Sequence, residues 1–361
     1  MFSWNSSGIS CTSGLAYMTG GIPLIFIPRV KSGILLNNQG IALKVPKSLW
    51  HLTRYLFFLL ADTYILSCHG VGMIMSPHHR IRFKSPILSQ IRERGYLPVD
   101  MHIHTRHSDA AISIPSLFAR AKLLGIGVAI TDHNEIRGAV EACHQPRDAL
   151  IIPGIEISAL EGPHILLYFY SVGDLTDYFT THIKGNLGKS QYMAIRLSVE
   201  QILESAENYE CVKIAAHPFG YFGLNRGVLK CIENKTIPAG TIDHVDGIEV
   251  ISGGMSQKIN DKAARYAGEH DLPITGGSDS HVLHSVGNVV TCVRADTVDG
   301  FLKGILAKES VVIGSTASTL HKGITAGWIT WKYIPYTVSS LQVHYEQNLP
   351  RMKQYLKDLL K

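Results

Sequence analysis

The chain has 361 residues, 34 of them Lys or Arg and 29 Asp or Glu, with 45% apolar and 17% charged composition. That balance excludes a disordered chain, a collagen-like fibre and a charged-tail protein, and the length suits two or three domains or one large α/β barrel with appendages. Cys11, Cys68, Cys143, Cys211, Cys231 and Cys292 form no C-x-x-C pair, which argues against a Cys-ligated zinc finger and a thioredoxin motif and fits reduced thiols in a cytoplasmic protein.

Residues 1–80 show no sustained helical or strand periodicity. Their charge is one-sided, with Arg29, Lys31, Lys44, Lys47, Arg54 and Arg80 against Asp62, so the basic balance lies here and gives no nucleic-acid surface to the rest. The run 55–75 (YLFFLLADTYILSCHGVGMIM) is long enough to span a bilayer, but Asp62 inside it opposes insertion. No secretory leader is expected. The first Glu of the chain is Glu93, and Met73 or Met75 would serve as an alternative start. Residues 1–80 are therefore expected to be an extension: membrane-associated, disordered or a mis-assigned start.

From 81 onward, strand-like and helix-like segments alternate. Strands are expected at 98–104, 126–131, 150–158, 164–170, 211–216, 247–252, 273–276 and 310–313. Helices are expected at 115–124, with Pro115 in the first turn and Gly125 as stop, and at 135–144, 190–208, 255–269 and 298–307. An amphipathic helix is expected over 343–360. Such alternation predicts a parallel α/β sheet or barrel over 81–315, followed by a C-terminal helical segment over 316–361.

Twelve of the 18 histidines fall between His102 and His284. His102 and His104 stand at i and i+2 in D-M-H-I-H, so strict alternation puts both rings, with Asp100, on one strand face. Asp100 there could orient a ligating His. Asp109 follows in T-R-H-S-D. T-D-H-N places His133 after the strand I-G-V-A-I, although Asp132 or Asn134 alone could be a helix cap. Glu156 lies in the apolar strand G-I-E-I-S, where an unpartnered carboxylate is costly. His164 opens the next strand, His217 ends C-V-K-I-A-A before Pro218, and G-G-S-D-S-H carries Asp279 and His281. Each residue alone is a weak signal. Nine on successive strand ends, all at the C-terminal side, would converge at the mouth of a parallel barrel.

The ordered set DMHIHT…SD, TDHN, GIEIS, His164, AAHPF, IEV and GSDSH resembles the polymerase and histidinol phosphatase (PHP) phosphoesterase family. The resemblance covers roughly 96–315, and Ala110, where a Gly is common, departs from it. It implies a distorted (β/α)7 barrel that binds two to three divalent ions (Mn, Zn or Fe) and hydrolyses phosphoesters. It implies one ion on His102, His104, Glu156 and Asp279, a second on Glu156, His164 and His217, and a third on Asp109, His133 and His281. Glu156, Asp279 and His217 are the implied catalytic residues. Arg226 is the candidate phosphate clamp, ahead of Arg137 and Lys230, and His107, His244, His270 and His284 read as surface or packing histidines.

The compact arrangement resembles members acting on nucleotides, as 3′,5′-bisphosphate nucleotidases or 5′–3′ exonucleases. The expected partner is a phosphorylated small molecule or short oligonucleotide, with no stable nucleic-acid complex, in the cytoplasm. A phosphomonoesterase of the histidinol-phosphate kind and a non-catalytic metal-binding regulatory module are the alternatives. An amidohydrolase-type metal site is disfavoured by the set Asp109, His133 and His281.

Overall fold

The computed structural model describes three short strands between residues 25 and 44, residues 80–316 except 146–148, 189–191 and 221–224, and helical positions from 319 to 353 with gaps after 343. The apolar run 55–75 and the alternative starts lie outside the described residues. The chain divides into two units, Met1–Ile74 and Met75–Lys361. In the first, β1 (Ile25–Phe26), β2 (Ile34–Leu36) and β3 (Ala42–Lys44) form a small antiparallel sheet in that order. No helix among the described residues is long and apolar enough to cross a membrane.

The second unit is built on one curled sheet of ten strands, so the expected α/β barrel is the observed architecture. Seven strands make the barrel wall in chain order: β5 (Leu97–Ile103), β6 (Gly127–Ile130), β7 (Ile151–Ser158), β8 (His164–Phe169), β9 (Cys211–Ala215), β10 (Gly247–Ser252) and β11 (Ile274–Gly277). The ring closes where Ser280, just past β11, bridges β5 at Ile103. His104 N donates to Ser280 O at 3.0 Å there. β12 (Val289–Val293), β13 (Val311–Gly314) and β4 (Ile81–Phe83) extend the sheet from the start of β5.

The barrel is not all parallel. β8 runs antiparallel to both β7 and β9. The two strands β7 and β8 form a hairpin, so the first residue of β8, His164, lies level with Ser158 at the end of β7. This corrects the expectation that every candidate sits at a C-terminal strand end, because His164 reaches the same mouth from an N-terminal one.

Alternation along the strands sorts two cores. Val99, Met101, Ala129, Ile152, Leu166, Tyr168, Val212 and Ile214 fill the barrel. Phe301, Leu302 and Ile305 of α8 (Val298–Leu306) join them from the end where β5 begins. The opposite strand faces, with Val128, Ile130, Ile155, Ile157, Leu167 and Val250, pack under the outer helices. Burying each such side chain contributes about 1.5–3 kcal/mol.

Six of those helices are α1 (Leu88–Glu93), α2 (Ile114–Leu124), α3 (Arg137–His144), α4 (Val172–Tyr178), α5 (Val199–Ala206) and α6 (Val228–Glu233). Several helices start at serine caps, whereas α1, α3 and α6 begin without a side-chain cap. α2 opens with a reciprocal Ser113/Ser116 cap and ends on Gly125 at φ 64°. α7 (Gln257–Glu269) opens on Ser256. The single helix expected over 190–208 is shorter. Ser198 caps the helix reciprocally with Gln201, and α5 begins only after Ser198. Backbone from 192 to 195 is instead held by tertiary bonds, Asn134 Nδ2 donating to Met193 O and Ile195 N to Ser158 O. The C-terminal helix also differs from expectation. It begins as α9 (Thr319–Tyr333), well before 343, in a stretch whose glycines and β-branched residues give it little intrinsic helix preference.

Candidate metal centre

All nine candidates converge at one end of the barrel, where eight are buried and Asp279 is half-buried. Two local devices aim them. The first is an irregularity in β5, where its register against β6 shifts between Asp100 and Ile103. Val99 and Met101 face the barrel interior, as do the rings of His102 and His104, whereas Ile103 packs in the outer core. Such a bulge adds one residue and swaps the faces. Asp100 therefore does not serve a histidine ring. Its carboxylate accepts from Ser278 N at 2.8 Å, Ser278 Oγ at 2.6 Å and Gly287 N at 2.8 Å, pinning the loop that presents Asp279 and His281. Burial pushes its pKa up to about 6, against the pull of those bonds.

The second device is backbone in left-handed conformation at the rim. Asn134, His217 and Asp279 have φ of 49°, 26° and 51°. Non-glycine residues rarely adopt these values, and they cluster where surrounding structure forces a side chain into place. Close approach of β11 to β5 requires Gly277, because a Cβ there would overlap His102.

Glu156 is the hub, with no exposed surface. Its Oε1 lies 2.9 Å from His164 Nδ1, 3.2 Å from His217 Nε2 and 3.4 Å from His102 Nε2. Its Oε2 lies 2.8 Å from His133 Nδ1 and 3.5 Å from His104 Nε2. Asp279 Oδ1 sits 3.3 Å from His104 Nε2 and 3.8 Å from His102 Nε2. Asp109 lies 3.2 Å from His281 Nε2 and 3.8 Å from His133 Nε2. Among the described residues, three groups have candidate ligand atoms mutually within 4.8 Å: His102, His104 and Asp279; His133, Glu156 and His164; and His104, Asp109, His133 and His281. The last two differ from the expected sets in drawing in His133 and His104, while His217 joins through Glu156.

The electrostatics suit cations. Burial alone would raise the Glu156 pKa, but His133, His164 and His102 hold it well below the carboxylate range. Asp279 is likewise held low by His102, His104 and His281 against burial. Burial, together with His281 and His133, lowers His104 to about 4. His281 goes the other way, to about 9: burial lowers it, but Asp109 and Asp279 together overcome that. His104 Nδ1 and His217 Nδ1 are buried with no hydrogen-bond partner. Imidazole and carboxylate lone pairs facing one another in a buried site fit borderline divalent ions such as Mn, Zn or Fe.

One residue was given no role from the sequence, though its motif IEV was noticed. Glu249 is 1% exposed. Its Oε1 lies 3.0 Å from His102 Nδ1, and its Oε2 accepts from His217 N at 2.8 Å. It thus directs the Nε2 of one ring into the cluster and fixes the backbone of a second candidate. Glu249→Gln is expected to weaken divalent-ion binding about 10–100-fold with the fold retained, as measured by titration calorimetry. Unchanged affinity would mean that His102 is oriented without it.

A cavity of about 480 Å³ opens over this floor, lined by Asp109, His133, Glu156, His164, His217, Asp279, His281 and Arg226 among others. Arg226 Nη1 donates to His164 Nε2 at 2.9 Å, so this cation stands at the floor's edge. Arg137 and Lys230 do not line the cavity and pair with Glu135 and Glu233. His107 and His244 pair with Glu141 and Glu207, His270 stacks on Tyr266, and none of these three lines the cavity.

Residues 100–232 match a family model described as PHP domain, and residues 258–310 match one described as PHP-associated. No curated protein matches the chain. Among solved structures, one similar protein is from Bifidobacterium adolescentis and is inferred to be a metal-dependent phosphoesterase, at 19% identity and TM-score 0.40, covering 66% of this chain and 99% of that one. Another is a two-domain protein from Bacteroides vulgatus containing a predicted PHP-like metal-dependent phosphoesterase, at 17% identity and TM-score 0.45, covering 68% of this chain and 70% of that one. A third is a lesion-specific endonuclease from Pyrococcus furiosus, at 18% identity and TM-score 0.47, covering 60% of this chain and 57% of the endonuclease.

Proposed function

The chain belongs to the PHP family of metal-dependent phosphoesterases, and we propose that it hydrolyses phosphoesters of nucleotides or short oligonucleotides in this cleft. The observation that carries the reading is a floor of nine His, Asp and Glu side chains, eight buried and Asp279 half-buried, under a cavity of about 480 Å³, with Arg226 at its edge. That volume lies within the roughly 300–1,000 Å³ of small-molecule sites. We assign the activity to residues 81–315, flanked by the extension 1–80 and the helical segment 316–361. Among the described residues, Cys211 and Cys292 are free thiols, which supports a cytoplasmic setting.

In this reading the floor holds two to three divalent ions. One would be bound by His102, His104, Glu156 and Asp279, a second by Glu156, His164 and His217, and a third by Asp109, His133 and His281. The chemistry supplied by bound ions is activation of water and neutralisation of charge on phosphoryl oxygens. The chain's own groups do the rest. Glu156, shared between sets, fixes their separation. Glu156, Asp279 and His217 are the proposed catalytic residues. Arg226 uses one of its five donors on His164 and keeps others for a phosphate, which its planar fork can bind bidentately.

The test uses the full chain with Mn²⁺ and a short oligonucleotide carrying a 5′-phosphate, with products followed over time. Stepwise release of mononucleotides from the 5′ end, or cleavage of nucleoside bisphosphates, is the expected result. Inorganic phosphate released only from unrelated metabolites would replace nucleotides with a histidinol-phosphate type of substrate. Bound metal with no turnover of any ester would favour a regulatory module.

A further inference from the structure

We propose that α9 is a fixed roof that selects substrates by their non-phosphate half, admitting a small ester with an apolar or planar leaving group and excluding a continuous strand. This rests on the phosphoesterase reading of the floor and narrows it.

The cavity has two unlike surfaces. Its floor is charged and imidazole-rich, whereas its other side is formed by Thr325, Ala326, Ile329, Thr330 and Tyr333 of α9. These positions recur at helical spacing, so they make one face of the helix. The face carries a methyl, a branched aliphatic group, a phenol ring and two hydroxyls. Residues 315–345 contain no Asp or Glu, so nothing on the roof repels an anion bound below. A ligand complementary to both surfaces has a phosphate at one end and an apolar or aromatic body at the other, as a nucleoside phosphate does.

The roof is tied down. Tyr333 donates its hydroxyl to Tyr192 O at 3.0 Å. The Tyr192 ring packs against Tyr333 at 5.5 Å and Tyr336 at 5.4 Å. Further along, Gln347 Nε2 donates to Leu160 O at 3.2 Å, on the turn joining β7 to β8. These attachments hold the helix over the same end of the barrel that His164 reaches. A polymer crossing the floor would have to displace them, while a ligand of nucleotide size would not.

The experiment compares kcat/KM for a nucleoside 3′,5′-bisphosphate, a 5′-phosphorylated 20-mer and methyl phosphate, which lacks an apolar or planar half, in the wild-type chain and in Ile329→Trp and Ile329→Ala. Hydrogen exchange of 319–333 is followed as each ligand is added. The wild type is expected to favour the bisphosphate over the 20-mer. Both variants should lower the bisphosphate-to-methyl phosphate ratio by at least about tenfold, mainly through KM, because they change contacts with the leaving half and not with the phosphate. Bisphosphate should slow exchange in α9, and the 20-mer should not. Equal use of the 20-mer, or an unchanged ratio in Ile329→Trp, would overturn the roof. Absence of turnover with every ester would remove the phosphoesterase reading alone, since protection of α9 by the bisphosphate still decides the roof.

Discussion

Glu156→Gln is expected to abolish turnover while leaving the protein folded. The substitution keeps shape and volume and removes one negative charge from a group with no exposed surface. That charge lies within 3.5 Å of nitrogens from His102, His104, His133, His164 and His217. A carboxylate placed among five imidazoles holds them in a cation-binding arrangement, and a carboxamide turns an NH₂ group toward part of that cluster. If the loss removes about 5 kcal/mol of stabilisation of the developing charge, kcat/KM falls roughly 10⁴-fold. Metal content by mass spectrometry should drop in parallel, and the circular dichroism spectrum should not change. Wild-type turnover in the variant would refute the shared role of Glu156. Asp109→Asn should retain more activity, because Asp109 touches only the His133 and His281 side of the floor.

Most of the barrel was legible because buried strands and capped helices announce themselves locally. The strand at 247–252 was placed residue for residue, and Gly125 stops α2 as its position predicts. The signal failed where tertiary contacts decided the outcome. The reversed direction of β8 leaves no trace in its sequence, since a strand buried on both faces reads the same in either direction. The bulge in β5 is equally silent, and it explains both the correct pairing of His102 with His104 and the wrong face given to Asp100. Glu249 went unassigned because a single acidic residue in an apolar strand has the same local pattern as Glu156. Only the three-dimensional partners separate a hub among imidazoles from a group that steers one ring. The roof was missed for another reason. α9 is weakly helical by composition, and packing over the cleft rather than periodicity accounts for it.

Divalent ions are expected to raise the thermal midpoint of the protein strongly, and a chelator to reverse the effect. Without ions, the floor buries imidazole nitrogens against one another, His102 Nε2 and His104 Nε2 lying 3.2 Å apart. It also buries two polar atoms with no hydrogen-bond partner: His104 Nδ1 and His217 Nδ1. Each such group costs about 1–3 kcal/mol. A ligand that binds only the folded state at about a thousandfold excess over its dissociation constant contributes about 4 kcal/mol. At about 2–4 °C per kcal/mol for a domain of this size, the midpoint should rise roughly 8–16 °C on adding Mn²⁺ to chelated protein. The effect should depend on pH in a definite direction. Asp109 and Asp279 raise His281 to about 9, so the ion-free floor is stabilised by that proton below its ordinary range and loses the contribution as pH rises toward 9. Ion binding must displace the same proton, so affinity and the gain in midpoint should both increase from pH 6 to 9. Differential scanning calorimetry across a Mn²⁺ titration at two pH values measures both. Equal midpoints in chelator and in excess ion would mean that the buried cluster is satisfied on its own and is not a metal centre.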